Sequence, residues 1–246
     1  MTNRAMMIFF VMLGSAACCY DAPTVNPYPG PWLIDDFSHG NGYPSDPHFE
    51  RWGCRPFDEA HPIADSDCNV TSDPAGTPGR ETVLHLGARL YPPDNENDTF
   101  ARAEVATYVR QAEAYDFRVY SYLLFSWKLV FASGDAVDLS KILLKVQLFC
   151  SRASDADGAL SSKPFIVKSI NPTNQVGQWN NQEALDLSQF AATENPPDDQ
   201  RGEVTVDSCL ACVDGIKITA DSGGKPLVSA VVLNLYVDDI KLLRQQ

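Results

Sequence analysis

Clusters of lysine and arginine are missing from this 246-residue chain, which sets 19 basic residues against 32 acidic ones and carries a formal charge of −13. Nucleic-acid binding needs grouped cations to displace phosphate counterions, so the balance argues against that function class. Docking on anionic lipid by charge alone is disfavoured for the same reason. No apolar run reaches the length of about 20 residues that a helix needs to span a bilayer. The four histidines, His39, His48, His61 and His85, are scattered, and none has the paired spacing of a zinc site. The chain has no G-x-S-x-G, no H-E-x-x-H and no phosphate-binding glycine loop, so no familiar enzyme motif assigns a reaction. Helical periodicity is scarce as well.

The features that are present begin with an export signal. Arg4 precedes "AMMIFFVMLGSAA", thirteen uncharged and mostly apolar residues, and then come Cys18 and Cys19. That is the order of a secretory signal peptide. Small residues ahead of a cysteine resemble a bacterial lipobox, with Ser15 where that motif has leucine. Residues 1–18 are read as a lipoprotein-type signal with Cys18 lipidated; Cys19 is the alternative anchor, and a plain signal with incidental cysteines is the other reading. Residues 19–31 include "YDAPTVNPYPGP", whose four prolines and glycine suit neither a helix nor a central strand. They read as a tether, and residues 32–246 as one domain. The expected location is the bacterial outer membrane or cell surface, reached through the lipid anchor.

Seven cysteines fit an exported chain. Cys54 and Cys68 flank "RPFDEAHPIADSD", and a bridge between them would close a loop of about 15 residues, adding roughly 3 kcal/mol in the chain-entropy model. Cys209 and Cys212 form "CLAC" outside any βαβ pattern, so a structural bridge, local or to Cys150, is favoured over redox chemistry.

From Trp32 onward, short segments rich in Val, Ile, Leu, Tyr and Phe alternate with Pro, Gly, Asp and Asn clusters. "TVLHLGARLY", "ARAEVATYVR", "YSYLLFSWKLVFA", "KILLKVQLFCSR", "KPFIVKSI", "GEVTVDSCLACVDGIKITAD" and "PLVSAVVLNLYVDDIKLL" are all read as strands. "LDLSQFAA" reads as one helical turn. Many strands and few helices make a β-sandwich or barrel with Trp127 packed inside.

Two of these segments carry adjacent carboxylates, "LIDDF" at residues 33–37 and "LYVDDIKLL" at residues 235–243. In a strand, neighbouring side chains point to opposite faces, so one aspartate of each pair points inward. Two carboxylates about 4 Å apart repel by about 4 kcal/mol at an effective dielectric near 20. Either one is protonated, or a cation sits between them, or all four lie at strand ends facing water.

"LIDDF", Gly40 and "FERWG" resemble the opening of carbohydrate-binding modules with the galactose-binding-like jelly roll, and "VDDIKL" resembles their final strand. "YDFRVYSYLLFSWKL", "VDLSKILLKVQLF" and "LDLSQF" resemble that family's strand entries. Complex-I-intermediate-associated-type domains share the fold. The resemblance implies an all-β jelly-roll sandwich and a structural calcium ion joining the first and last strands, with ligands on Asp36 or its neighbour and on Asp238. The family's glutamate after the "DDF" phenylalanine is here Ser38, a weaker ligand.

Sugar recognition combines aromatic faces with a few polar groups that fix hydroxyls. Trp179, Asn180, Asn181 and Gln182 in "VGQWNNQEALD" form the leading candidate, with Trp52 second and Tyr108 and Tyr122 behind it. The sequence thus points to a non-catalytic, monomeric, polysaccharide-binding domain. A structural or protein-interaction lipoprotein of the same fold is the alternative, and a polysaccharide-active enzyme with unassigned carboxylates the second.

Overall fold

The computed structural model describes residues 24–25, 30–57, 67–73, 76–90, 102–110, 114–132, 142–150, 165–172, 175–192, 205–221 and 229–244. The strands are β1 (Thr24–Val25), β2 (Trp32–Asp35), β3 (Gly53–Phe57), β4 (Asp67–Thr71), β5 (Val83–Leu90), β6 (Arg102–Tyr108), β7 (Ala114–Tyr115), β8 (Tyr122–Phe131), β9 (Leu143–Cys150), β10 (Phe165–Ile170), β11 (Asn180–Asp186), β12 (Ala191–Ala192), β13 (Val213–Asp221) and β14 (Val231–Leu243). They form two sheets. One runs β3-β6-β13-β9-β10-β12, with the short β7 on the edge of β13 and β1 beside it; the other runs β11-β8-β14-β5-β4, with β2 also on β14. All pairings are antiparallel except β1 with β7. The molecule is a jelly-roll β-sandwich, and β2, near the start of the domain, lies against its last strand, β14.

Alternation drives the assembly. Val231, Leu233, Leu235 and Val237 of β14 point inward, as do Leu123, Phe125, Trp127 and Leu129 of β8, and Ile216, Ile218 and Ala220 close the core from β13. Trp127 is fully buried, as expected. A second aromatic group seals one end: the Trp32 ring meets Tyr115 edge-on at 4.5 Å, and Phe49 stacks on Tyr115 at 5.7 Å. Each such ring removes roughly 150–250 Å² from water, about 4–6 kcal/mol gross at 25 cal/mol per Å².

Two expectations are corrected. "GEVTVDSCLAC" does not run on as strand: Val206–Leu210 is a short α-helix, α1. Thr205 caps it through a reciprocal box with Ser208, which satisfies orphan backbone donors and overrides the period-two pattern of "VTVDS". Its Cys209 is bridged to Cys150 with the Cα atoms 4.9 Å apart, tying α1 to β9 rather than closing "CLAC" on itself. Trp52 is the second correction, taken up with the site. "LDLSQFAA" does contain a single 3-10 turn, Leu187–Gln189, capped by Asp186.

Residues 1–18, with Cys18 and Cys19, lie outside the described residues, as do the side chains of Cys54 and Cys68. Most of residues 19–31 does too, although Thr24–Val25 pairs with β7. No helix among the described residues is long and apolar enough to cross a membrane.

Candidate functional site

The aspartate pairs mark places where the period of two breaks. Val237 and Ile240 both face inward although three positions apart, so one extra residue must fit between them; the ladder with β8 shifts register between Asp238 and Lys241, and Asp239 adopts a φ of 53°. Ile34 and Phe37 repeat this, with Phe37 at φ 54°. Aspartate tolerates the left-handed region better than most residues, which accounts for Asp239 at the bulge.

The two inward members do different work. Asp35, fully buried, ties the exit of β2: its Oδ1 accepts from the Phe37 amide (2.8 Å) and the Ser45 amide (3.3 Å), and its Oδ2 accepts from the Trp52 indole N–H (2.7 Å). Burial outweighs these hydrogen bonds and pushes its pKa up to about 6. Trp52 is therefore not a sugar platform. It is 5% exposed and packs on Phe37, with its polar edge consumed by Asp35. The half-buried Asp36 accepts from the Ser45 hydroxyl (2.8 Å) and the Ser38 amide (3.1 Å). Partial burial raises its pKa, but these hydrogen bonds prevail and the net shift is down.

At the other pair, Asp238 Oδ2 accepts from Arg80 Nη1 at 2.5 Å and Asp238 Oδ1 accepts from the Asp239 amide. Burial, then the Asp239 charge, raise Asp238 to about 6 against the pull of Arg80. Arg80 Nη2 reaches Asn181 Oδ1 at 2.9 Å and Asp239 Oδ2 at 3.5 Å, and the guanidinium lies 4.3 Å from the centre of the Trp179 ring. The half-buried Trp179 points its N–H at Asp73 Oδ2 (3.3 Å), so both its face and its edge are fixed. Beyond Asp73 the outer face of the β5–β14 pair continues with Tyr236 stacked on His85 at 4.8 Å, and His85 bonded to Asn234.

A second bulge opposes the first across β8. β11 shifts register between Asn180 and Glu183, and Gln182 sits at φ 52°. Ser126, buried on β8, holds both: its hydroxyl accepts from the Gln182 amide (3.0 Å) and donates to Asp239 Oδ2 (3.5 Å). Beside them opens a polar cleft of about 280 Å³ lined by Asp36, Ser38, Arg80, Glu81, Thr82, Asp238 and Asp239. The expected metal pair, Asp36 and Asp238, thus shares one cleft.

The expected sugar residues are divided. Trp179 and Asn181 contact Arg80, which lines the cleft, without lining it themselves. Gln182 is exposed at the bulge. Asn180 serves the loop instead, donating to the carbonyls of Gln175 and Gln178. No motif in the sequence singles out Arg80.

Another aromatic row crosses the outer face of the larger sheet, where Tyr108, Gly215, Phe149 and Phe165 share one register line. Lys217 lies over Phe149 at 5.0 Å and pairs with Glu104 at 3.0 Å. Phe149 is 3% and Lys217 9% exposed, so this row is packed surface rather than an open platform.

No protein-family model and no curated protein sequence matches the chain. Solved carbohydrate-binding modules are similar to it. CBM28, described as specific for non-crystalline cellulose, aligns over 91% of this chain and 98% of its own, at 10% identity and a TM-score of 0.46. CBM27-1 of Caldicellulosiruptor saccharolyticus, in complex with mannohexaose, covers 89% of this chain and 100% of its own, at 14% identity and a TM-score of 0.39. The CBM22-1–CBM22-2 tandem of Paenibacillus barcinonensis Xyn10C covers 89% and 51%, at 12% identity and a TM-score of 0.41. With each TM-score below 0.5, the jelly-roll assignment rests on the strand order and registers of this chain itself.

Proposed function

We propose that the chain is a non-catalytic carbohydrate-binding domain, exported and held at the bacterial cell surface by a lipid on Cys18, with the glycan seated at the bulged rim. The observation that carries the reading is the open polar cleft whose Arg80 packs on a fixed indole, Trp179. A sugar presents a C–H face to an aromatic ring and hydroxyls that both donate and accept. The exposed Glu81 supplies acceptors in the cleft, and the exposed side-chain amides of Asn181 and Gln182, near Arg80, supply donors. Trp179, held by Asp73 and Arg80, loses little freedom on contact. Four carboxylates against one guanidinium favour a neutral polysaccharide over a uronate or a sulfated glycan.

Affinity electrophoresis of the full chain through gels containing neutral glucans, mannans or polygalacturonate tests this. Retardation by a neutral polymer, abolished in a Trp179→Ala variant that still melts cooperatively, is the expected result. Retardation by none of the neutral polymers rejects glycan binding. Equal retardation of the Trp179→Ala variant rejects this cleft as its seat.

A further inference from the structure

We infer that the junction of the first and last strands is held without calcium, because the Arg80 guanidinium takes the position a divalent cation would need. The inference goes beyond glycan binding and does not depend on it. Calcium requires six to eight oxygens converging at roughly 2.3–2.6 Å. At this rim each candidate ligand residue already accepts from protein donors. Asp35 accepts from Phe37, Ser45 and Trp52. Asp36 accepts from Ser38 and Ser45. The Phe37 carbonyl accepts from the Thr82 hydroxyl at 2.6 Å and from the Gly40 amide at 3.0 Å. Asp238 accepts from Arg80 and from the Asp239 amide. Among the described residues no group of three or more His, Cys, Asp and Glu side chains is placed to hold a metal ion.

Arg80 supplies the positive charge that a metal would bring to the β14 carboxylates. It comes from a third segment, the turn closed by the Arg80 amide on the Thr77 carbonyl, with Gly79 at φ 81°. Its planar fork spans Asp238 and Asp239 on β14 and Asn181 on β11, and its face rests on Trp179. The side chain is only 9% exposed. One fixed charge therefore cross-links three segments and offsets the repulsion of the paired carboxylates. A divalent ion brought to the same carboxylates would meet the guanidinium's like charge within a few ångströms.

Thermal unfolding of the full chain in EDTA and in millimolar calcium is the direct test, with bound calcium measured by elemental analysis after dialysis. The melting temperatures are expected to agree to within about 1 °C, and the metal content to be far below stoichiometric. Arg80→Gln, which leaves Asp238 buried and unpaired, is expected to lower the melting temperature by roughly 5–10 °C, and Arg80→Lys to recover part of the loss. A wild-type melt that drops in EDTA and returns with calcium, or one tightly bound calcium per chain, overturns the inference whether or not the variants fold. An Arg80→Gln protein as stable as wild type overturns it from the other side.

Discussion

Replacing Asp35 by asparagine preserves the side chain's shape while removing its proton, and the structure sets what should follow. The folded pKa of Asp35 is about 6 and its ordinary value 3.8. A carboxyl raised in this way stabilises the fold most when protonated, below about pH 4, and that stabilisation is lost as pH rises through about 6. Between about pH 7 and about pH 5 the wild-type chain should therefore gain about 1.4 kcal/mol from this group. Asparagine cannot titrate, so the variant loses that gain. It also offers one acceptor oxygen where Asp35 accepts at both: the donors are the Phe37 and Ser45 amides on one side and the Trp52 indole on the other. One donor set must face the new NH₂ group, at a cost of about 1–3 kcal/mol at every pH. Urea unfolding of both proteins at about pH 5, 6 and 7 reads the difference. Asparagine should be less stable throughout, and the gap should widen by about 1.4 kcal/mol on acidification. Asp238, also raised to about 6, should leave a residual rise toward low pH in both proteins. A gap that stays constant or narrows as pH falls would show that Asp35 is ionised in the fold at no penalty, and the burial argument would fail.

Removing the Cys150–Cys209 bridge by replacing both residues with alanine opens a link between positions 59 residues apart. It should cost about 4 kcal/mol in the chain-entropy model, read as a lower urea midpoint; an unchanged midpoint would refute that role. Gly215→Ala would bring a Cβ to 2.6 Å from Tyr108 Cδ1 and 3.1 Å from the Thr107 carbonyl. A loss of about 1–3 kcal/mol is expected. Gly53→Ala, where the new methyl meets nothing within 4 Å, serves as the control and should be nearly silent. Equal effects at both glycines would mean that the Tyr108 ring yields freely.

The sandwich and the adjacency of its ends were legible because they depend on local patterning. Alternation in "VVLNLYV" and "YLLFSWKLVF" specifies strands with one buried face, and the matching "DDF" and "DDI" breaks mark bulges that meet across β2 and β14. The failures have tertiary causes. Trp52 sits among polar residues in the sequence, and only folding brings Asp35, seventeen positions away, to its indole. α1 did leave a local trace, the Thr205 and Ser208 spacing, which the alternation of "VTVDS" masked. Arg80 left none. Within "TPGRET" it reads as a solvated turn residue, and its carboxylate partner lies 158 positions on. Electrostatics asks for a cation near the paired aspartates, and nothing in the sequence distinguishes a distant arginine from a metal ion in that role.

The backbone at the rim says how such a site would work. The non-glycine residues with positive φ among the described residues are Phe37, Gln182 and Asp239, and each such conformation costs of order 1 kcal/mol or more. Local bonds from Asp35 and Asp238 help hold Phe37 and Asp239, and anchors distant in sequence complete the fixing. Asp35 and Thr82 hold the two peptides flanking Phe37, at the Phe37 amide and carbonyl. Ser126 holds Gln182 through its amide and Asp239 through its carboxylate. These anchors are buried or partly buried and belong to strands and strand ends rather than to long loops. Cleft walls set in this way lose little entropy when a ligand arrives. If the proposed glycan binds here, polar groups on a locked double bulge beside Trp179 would favour one fixed arrangement of hydroxyls over adaptive closure around many.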